Sequence, residues 1–201
     1  MTDPILIAYD ESDPSLGHFF QLCSDIIREN AVLNAHDYKL LSSTELTRDK
    51  INCITEESID FVFACFTHGD ENSLYCNKLP FVTASENLFN FYGSFFYTFA
   101  CSSAVEIAKE FENSYVQGFF GYSSDVHVKL GFEEAFADCA TVGLTAFLEG
   151  NSLKNCKQIM ENKYTETAVD ISKQDYLAAL LLLNNRDVLY ILGEEELVIS
   201  Y

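Results

Sequence analysis

Two patterns of apolar residues alternate along the chain. Short, almost unbroken runs read as strands buried on both faces, as in a parallel sheet covered by helices. They are Pro4–Tyr9, Tyr38–Leu41, Ile59–Thr67, Ser94–Ala100 and Tyr115–Gly121. Between them, apolar residues recur at the three-and-four spacing of one helix face. Leu16–Ile27 does so through Leu16, Phe19, Phe20, Cys23, Ile26 and Ile27, and a helix is also expected from Ala104 to near Asn113. Phe132–Phe147 gathers Phe132, Ala135, Phe136, Cys139, Val142, Gly143, Ala146 and Phe147 on one side, and Gly150 ends it.

Local signals add the smaller elements. Ser42 with Glu45 reads as a capping box opening a helix over roughly 44–56. Thr83 with Glu86 reads as a second box, starting a helix through Phe91 that Gly93 terminates. Leu74-Tyr75-Cys76 and Leu79–Val82 flank Asn77-Lys78 and predict a β-hairpin beside the main sheet. Residues 152–163 predict a short helix, and Ser172 a cap for a helix over Asp175–Asn184 with Leu180–Leu183 in the core. Val188–Leu192 and Leu197–Tyr201 predict short strands around Gly193-Glu194-Glu195-Glu196. No repeat or Pro-rich linker interrupts this order. The alternation of strands and helices predicts one three-layer α/β domain over residues 1–201, with a mostly parallel central sheet and helices on both faces.

Composition narrows the function. With 48% apolar residues and 17 Phe among 201, the chain fills a sizeable core and is not disordered. The seven cysteines are odd in number and form no CxxC pair, and no secretory leader opens the sequence. This predicts free thiols in a reducing cytoplasm rather than a disulfide framework. The four histidines are isolated in sequence, so no metal site and no cofactor is expected. No run is long enough for a membrane helix. Thirty-one acidic against twelve basic residues give a formal charge of −19, which repels phosphate backbones and anionic membranes and attracts basic peptides. Neither nucleic acid nor membrane is an expected ligand.

The chemistry gathers where two of the buried runs stop. The first ends at His68-Gly69-Asp70 and the second at Cys101-Ser102-Ser103. In open α/β sheets, functional groups collect beyond the carboxyl ends of strands. Cys101 precedes the expected helix, so a helix N-terminus there favours the thiolate. His68 can exchange protons near neutral pH. Gly69 allows a sharp turn, and its N–H with that of Cys101 would make an oxyanion hole. Taken singly, each residue has a plainer reading, a core thiol at a strand end and a turn after a strand.

Phe66-Thr67-His68-Gly69 followed by Phe99-Ala100-Cys101-Ser102-Ser103 resembles the caspase-like (clan CD) cysteine peptidases. That clan includes caspases, metacaspases, gingipains, clostripain, separase and the bacterial CHAT-domain peptidases. CHAT domains look most similar, because Ala-Cys-x-Ser recurs there. The Gln-Ala-Cys-x-Gly of caspases and the Asp-x-Cys of metacaspases are absent, and the His-to-Cys interval of 33 residues is short for the clan.

The resemblance implies the caspase-like strand order and a cysteine endopeptidase. His68 and Cys101 would act as a dyad through a thioacyl-enzyme on a protein or peptide substrate. In the clan, the segment after the fifth expected strand shapes the pocket for the residue preceding the scissile bond. Asp125 is therefore the leading candidate for reading a basic side chain, with Asp70 and Asp10 on neighbouring loops as competitors. CHAT-like peptidases commonly work beside partners, which implies a regulatory protein partner and a setting such as bacterial defence. Two other readings stand beside this one. One is a catalytically inactive caspase-like interaction module or accessory subunit; the other is a thiol acyltransferase or small amidase.

Overall fold

The structure is a computed structural model and describes residues 4–56, 58, 60–112 and 116–199. Its centre is a six-stranded sheet. In chain order the strands are β1 (Ile5–Tyr9), β2 (Tyr38–Leu41), β3 (Val62–Phe66), β7 (Phe95–Phe99), β8 (Gly118–Tyr122) and β9 (Leu189–Gly193). Across the sheet they run β2-β1-β3-β7-β8-β9. All neighbours pair in parallel except β9, which lies antiparallel to β8.

Both faces of this sheet are buried, which is why the runs lack polar alternation. Ile5, Ile7, Val62, Ala64, Phe66, Phe95, Tyr97 and Phe99 point into one core. There they meet α1 (Gly17–Leu33), α4 (Glu133–Leu148), α5 (Leu153–Ile171) and α6 (Tyr176–Asp187). Leu6, Ala8, Phe63, Cys65 and Phe96 point into the other, against α2 (Arg48–Glu56) and α3 (Glu106–Glu112). The fold class is therefore the expected one, an α/β sheet with helices on both faces. Among the described residues no helix is long and apolar enough to cross a membrane.

A small antiparallel sheet sits beside the main one, made of β4 (His68–Gly69), β5 (Ser73–Cys76) and β6 (Leu79–Thr83). The hairpin is where the sequence puts it. That His68-Gly69 itself pairs with Tyr75 and Leu74 was not legible.

Several boundaries differ from expectation, each for a local reason. Neither capping box forms. Glu11 accepts from the Ser43 N–H at 2.9 Å and from its hydroxyl at 2.8 Å, holding residues 42–46 as a loop. α2 therefore starts at Arg48, where Thr47 Oγ1 accepts from the Lys50 N–H at 3.4 Å. Buried Asn87 takes the Thr83 N–H at 2.8 Å and donates to the Phe81 carbonyl at 2.9 Å. That segment becomes a turn and a short 3₁₀ helix, Leu88–Phe91, while Glu86 pairs with Arg48.

The helix expected at 152–163 continues to Ile171, because Tyr164, Ala168 and Ile171 extend its buried stripe. Ser172 closes α5, and Asp175 caps α6 by accepting from the Ala178 N–H at 2.8 Å. Leu180 is exposed rather than core, since the buried side of α6 runs through Ala178, Ala179, Leu182 and Asn185. Residues 197–199 are not a strand, and the Leu197 carbonyl instead accepts from the Leu153 N–H at 2.9 Å. The expected element ends at Ile59, Asn113, Tyr115 and Tyr201 lie outside the described residues.

Candidate active site

The register of the central strands sets the geometry. β3 pairs with β7 through Phe66 opposite Phe99, so His68 and Cys101 each lie two residues beyond the last paired position of adjacent strands. They leave the sheet side by side at its carboxyl edge. Gly69 explains how closely the two ends approach. A Cβ on Gly69 would lie 2.9 Å from the Ala100 Cβ and 3.3 Å from the Cys101 carbonyl oxygen. A side chain there would push the His68 and Cys101 backbones apart, so the two N–H groups expected to form an oxyanion hole sit on segments in direct contact.

His68 is held from a third loop. Its Nε2 lies 3.0 Å from Asp13 Oδ2, and its ring packs edge-on against Phe20 with centroids 5.5 Å apart. Asp13 is itself fixed. Its Oδ1 accepts from the Ser15 N–H at 2.9 Å, the Ser15 hydroxyl at 2.7 Å and the Leu16 N–H at 2.7 Å. Burial alone would raise its pKa, but these donors and the His68 charge outweigh it and bring it down to about 2. An ionised carboxylate only accepts, so His68 carries its proton on Nε2, and Nδ1 is the basic nitrogen of the neutral ring. Asp13 was missed in the sequence. It stands in a loop rich in Asp, Glu and Ser, and only the fold brings it across 55 positions to His68.

Cys101 is half-buried, and its thiol donates to the Val126 carbonyl at 3.6 Å. Among the described residues no hydrogen bond joins Cys101 to His68. The thiolate-favouring helix terminus is a correction. Residues 101–105 form turns, α3 begins only at Glu106, and Ser102 takes a left-handed backbone (φ 51°). Desolvation, with the Asp125 charge adding to it, raises the thiol above its ordinary 9.0, and the Val126 backbone offsets this only in part.

The loop after β8 forms the wall beside Cys101. The Ser124 carbonyl accepts from the Ser102 N–H at 3.0 Å, and Asp125 Oδ1 lies 3.4 Å from the Ser102 hydroxyl. Asp125 is exposed and stands beside the nucleophile candidate. Fully buried Asn185 of α6 anchors the same loop, donating to the His127 carbonyl at 2.7 Å and accepting from the His127 N–H at 2.9 Å. No sequence signal marked Asn185.

The other two acidic candidates are committed locally. Asp70 accepts from the Asn72 and Ser73 amides at 2.8 and 2.9 Å and from the Tyr75 hydroxyl at 2.6 Å. Asp10 is 2% exposed and accepts from Ser12 Oγ at 2.6 Å and the Asn77 N–H at 3.4 Å. On the far side of His68 from the β8 loop, a cleft of about 450 Å³ opens between Asp10, Asp13, Pro14, His68, Tyr75, Asn77 and Lys78.

No protein-family profile and no curated protein sequence matches this chain. Solved structures do. The Arg-specific cysteine proteinase gingipain R (RgpB) matches with a TM-score of 0.64 at 10% identity, over 98% of this chain and 47% of that chain. The complex of Porphyromonas gingivalis RgpB pro- and mature domains matches at 0.64 and 9%, over 98% and 48%. A pro-sf-caspase-1 structure matches at 0.56 and 11%, over 96% and 90%. The chain thus spans about half the length of the two gingipain chains. At these identities the likeness is one of fold, and the fold is caspase-like.

Proposed function

We propose that the chain is a cysteine endopeptidase of the caspase-like type. One observation carries this: His68 and Cys101 leave adjacent parallel strands at the same level, with Gly69 lying against the Ala100–Cys101 backbone. In this reading Asp13 orients His68, and Nδ1 of His68 takes the Cys101 proton. The thiolate attacks the scissile carbonyl, and His68 returns the proton to the leaving amine. Water then hydrolyses the thioacyl-enzyme with His68 as base. The N–H groups of Gly69 and Cys101 hold the oxyanion, a contribution of about 3–4 kcal/mol per donor.

The raised thiol pKa argues against a standing thiolate–imidazolium pair. Deprotonation belongs to the step in which substrate displaces the Val126 carbonyl from the thiol and draws Cys101 toward His68. A partner protein seated beside the 123–128 loop would favour the same change, which is how partner control enters. Exposed Asp125 beside Cys101 supports a basic residue before the scissile bond. The Ala-Cys-x-Ser sequence supports the CHAT-like affiliation and a role in bacterial defence, and the seven free cysteines support a cytoplasmic setting.

An inactive interaction module is the second reading, and the separation of the His68 and Cys101 hydrogen bonds favours it. The test is cleavage of an Arg- and Lys-containing peptide library, read by mass spectrometry. Wild-type protein cleaves after basic residues, and Cys101→Ala, which leaves the fold intact, does not. Equal cleavage by both proteins removes Cys101 from the mechanism.

A further inference from the structure

The cleft beside His68 has an unusual feature at its rim. Cys76 pairs with Leu79, so Asn77 and Lys78 alone make the hairpin turn, and both take left-handed backbone, with φ 51° and 65°. Asn tolerates this conformation, and the second position of such a turn is ordinarily glycine. Lysine there carries a conformational cost that glycine would not. The turn alone does not need a side chain at 78.

The charges lining the cleft show what that side chain offers. Asp13 is taken up by Ser15, Leu16 and His68. Asp10 is buried and bonded to Ser12 and Asn77. Tyr75 gives its hydroxyl proton to Asp70. Lys78 is exposed, and no ion pair engages it among the described residues. It is the uncommitted charge of the cleft.

In the peptidase reading, on which this inference rests, the acyl half of the substrate lies with Cys101 against the β8 loop. The leaving amine receives its proton from His68, so the residue following the scissile bond passes on the His68 side, into this cleft. We infer that Lys78 reads an acidic side chain on the residue immediately after the scissile bond. The preferred peptide then carries a base before the bond, facing Asp125, and an acid after it, facing Lys78. Such a dipeptide is neutral, so the net charge of −19 does not repel it.

The test uses full-length Cys101→Ala, which binds without turnover, and short fluorescein-labelled peptides that differ only in Glu, Gln or Lys after an Arg. Anisotropy should give Glu the tightest binding, about fivefold over Gln at low salt, the scale of an exposed ion pair. Adding Lys78→Glu should reverse the order. Adding Lys78→Gly should abolish the preference while raising Tm by about 2–4 °C, since the turn relaxes. Equal affinities, no binding by any of the three, or a preference that survives Lys78→Gly overturns the inference. Turnover of the same peptides by wild-type protein is scored separately. A Lys78-dependent preference without cleavage sinks the peptidase reading and keeps the Lys78 subsite, whereas cleavage without that preference does the reverse.

Discussion

Replacing Asp13 by Asn removes the charge that Ser15, Leu16 and His68 hold in place. Asn keeps an oxygen for the Ser15 and Leu16 donors but presents an amide to Nε2 instead of a carboxylate. Lowering a carboxyl from 3.8 to about 2 corresponds to about 2.4 kcal/mol at full strength. The Asp13 side chain is 17% exposed and that of His68 45%, so solvent screening reduces this to about 1 kcal/mol. Because the folded pKa is depressed, the contribution is complete above the unfolded value and is lost as pH falls from near 3.8 to 2. At pH 7 the variant should unfold in urea about 0.5 M earlier, for a slope of about 2 kcal/mol/M. The gap should narrow through pH 4 and close toward pH 2, as far down as wild type stays folded. A gap of the same size at pH 7 and pH 3 would refute the charge argument and leave only loop packing. No gap at pH 7 would mean that Ser15, Leu16 and His68 do not hold the Asp13 charge in solution.

Three further outcomes follow from the wall beside Cys101. Asp125→Asn removes a charge that helps raise the thiol pKa, so iodoacetamide should alkylate Cys101 about threefold faster at pH 8, with the gain fading at high salt; an unchanged rate would separate Asp125 from the nucleophile. Asn185→Ala leaves a hole at a fully buried position, strips two hydrogen bonds from the His127 backbone and should cost about 2–4 kcal/mol in urea unfolding, with faster Cys101 alkylation as the loop loosens. Asn184→Ala, with its single 3.4 Å bond to the Asp125 carbonyl, should cost under about 0.5 kcal/mol.

The central strands were legible because a strand buried on both faces leaves an unbroken apolar run, and Val62–Phe66 and Phe95–Phe99 are such runs. Gly69 was legible as a special position, although its reason, contact with Ala100, needed the register. Caps failed where another side chain intervened: Glu11, 32 positions away, captured Ser43, and Asn87, four positions on, captured the Thr83 N–H. The Cys101 helix terminus failed because the chain turns through Ser102 before α3 starts. Asp13 and Asn185 act over 55 and 58 positions of sequence separation, and no local pattern encodes such contacts. Asp10 shows the converse, since a strand-end acid that reads as a substrate ligand is 2% exposed.

In the proposed mechanism His68 and Cys101 work as one unit. An acyloxymethyl ketone bearing Arg or Lys, followed by mass mapping of the adduct, probes that unit in one experiment. An adduct should form on Cys101 and be lost in His68→Ala, while exposed Cys53 stays unmodified in both. An adduct on Cys101 that forms equally well without His68, or none on Cys101 while Cys53 reacts, would contradict that mechanism.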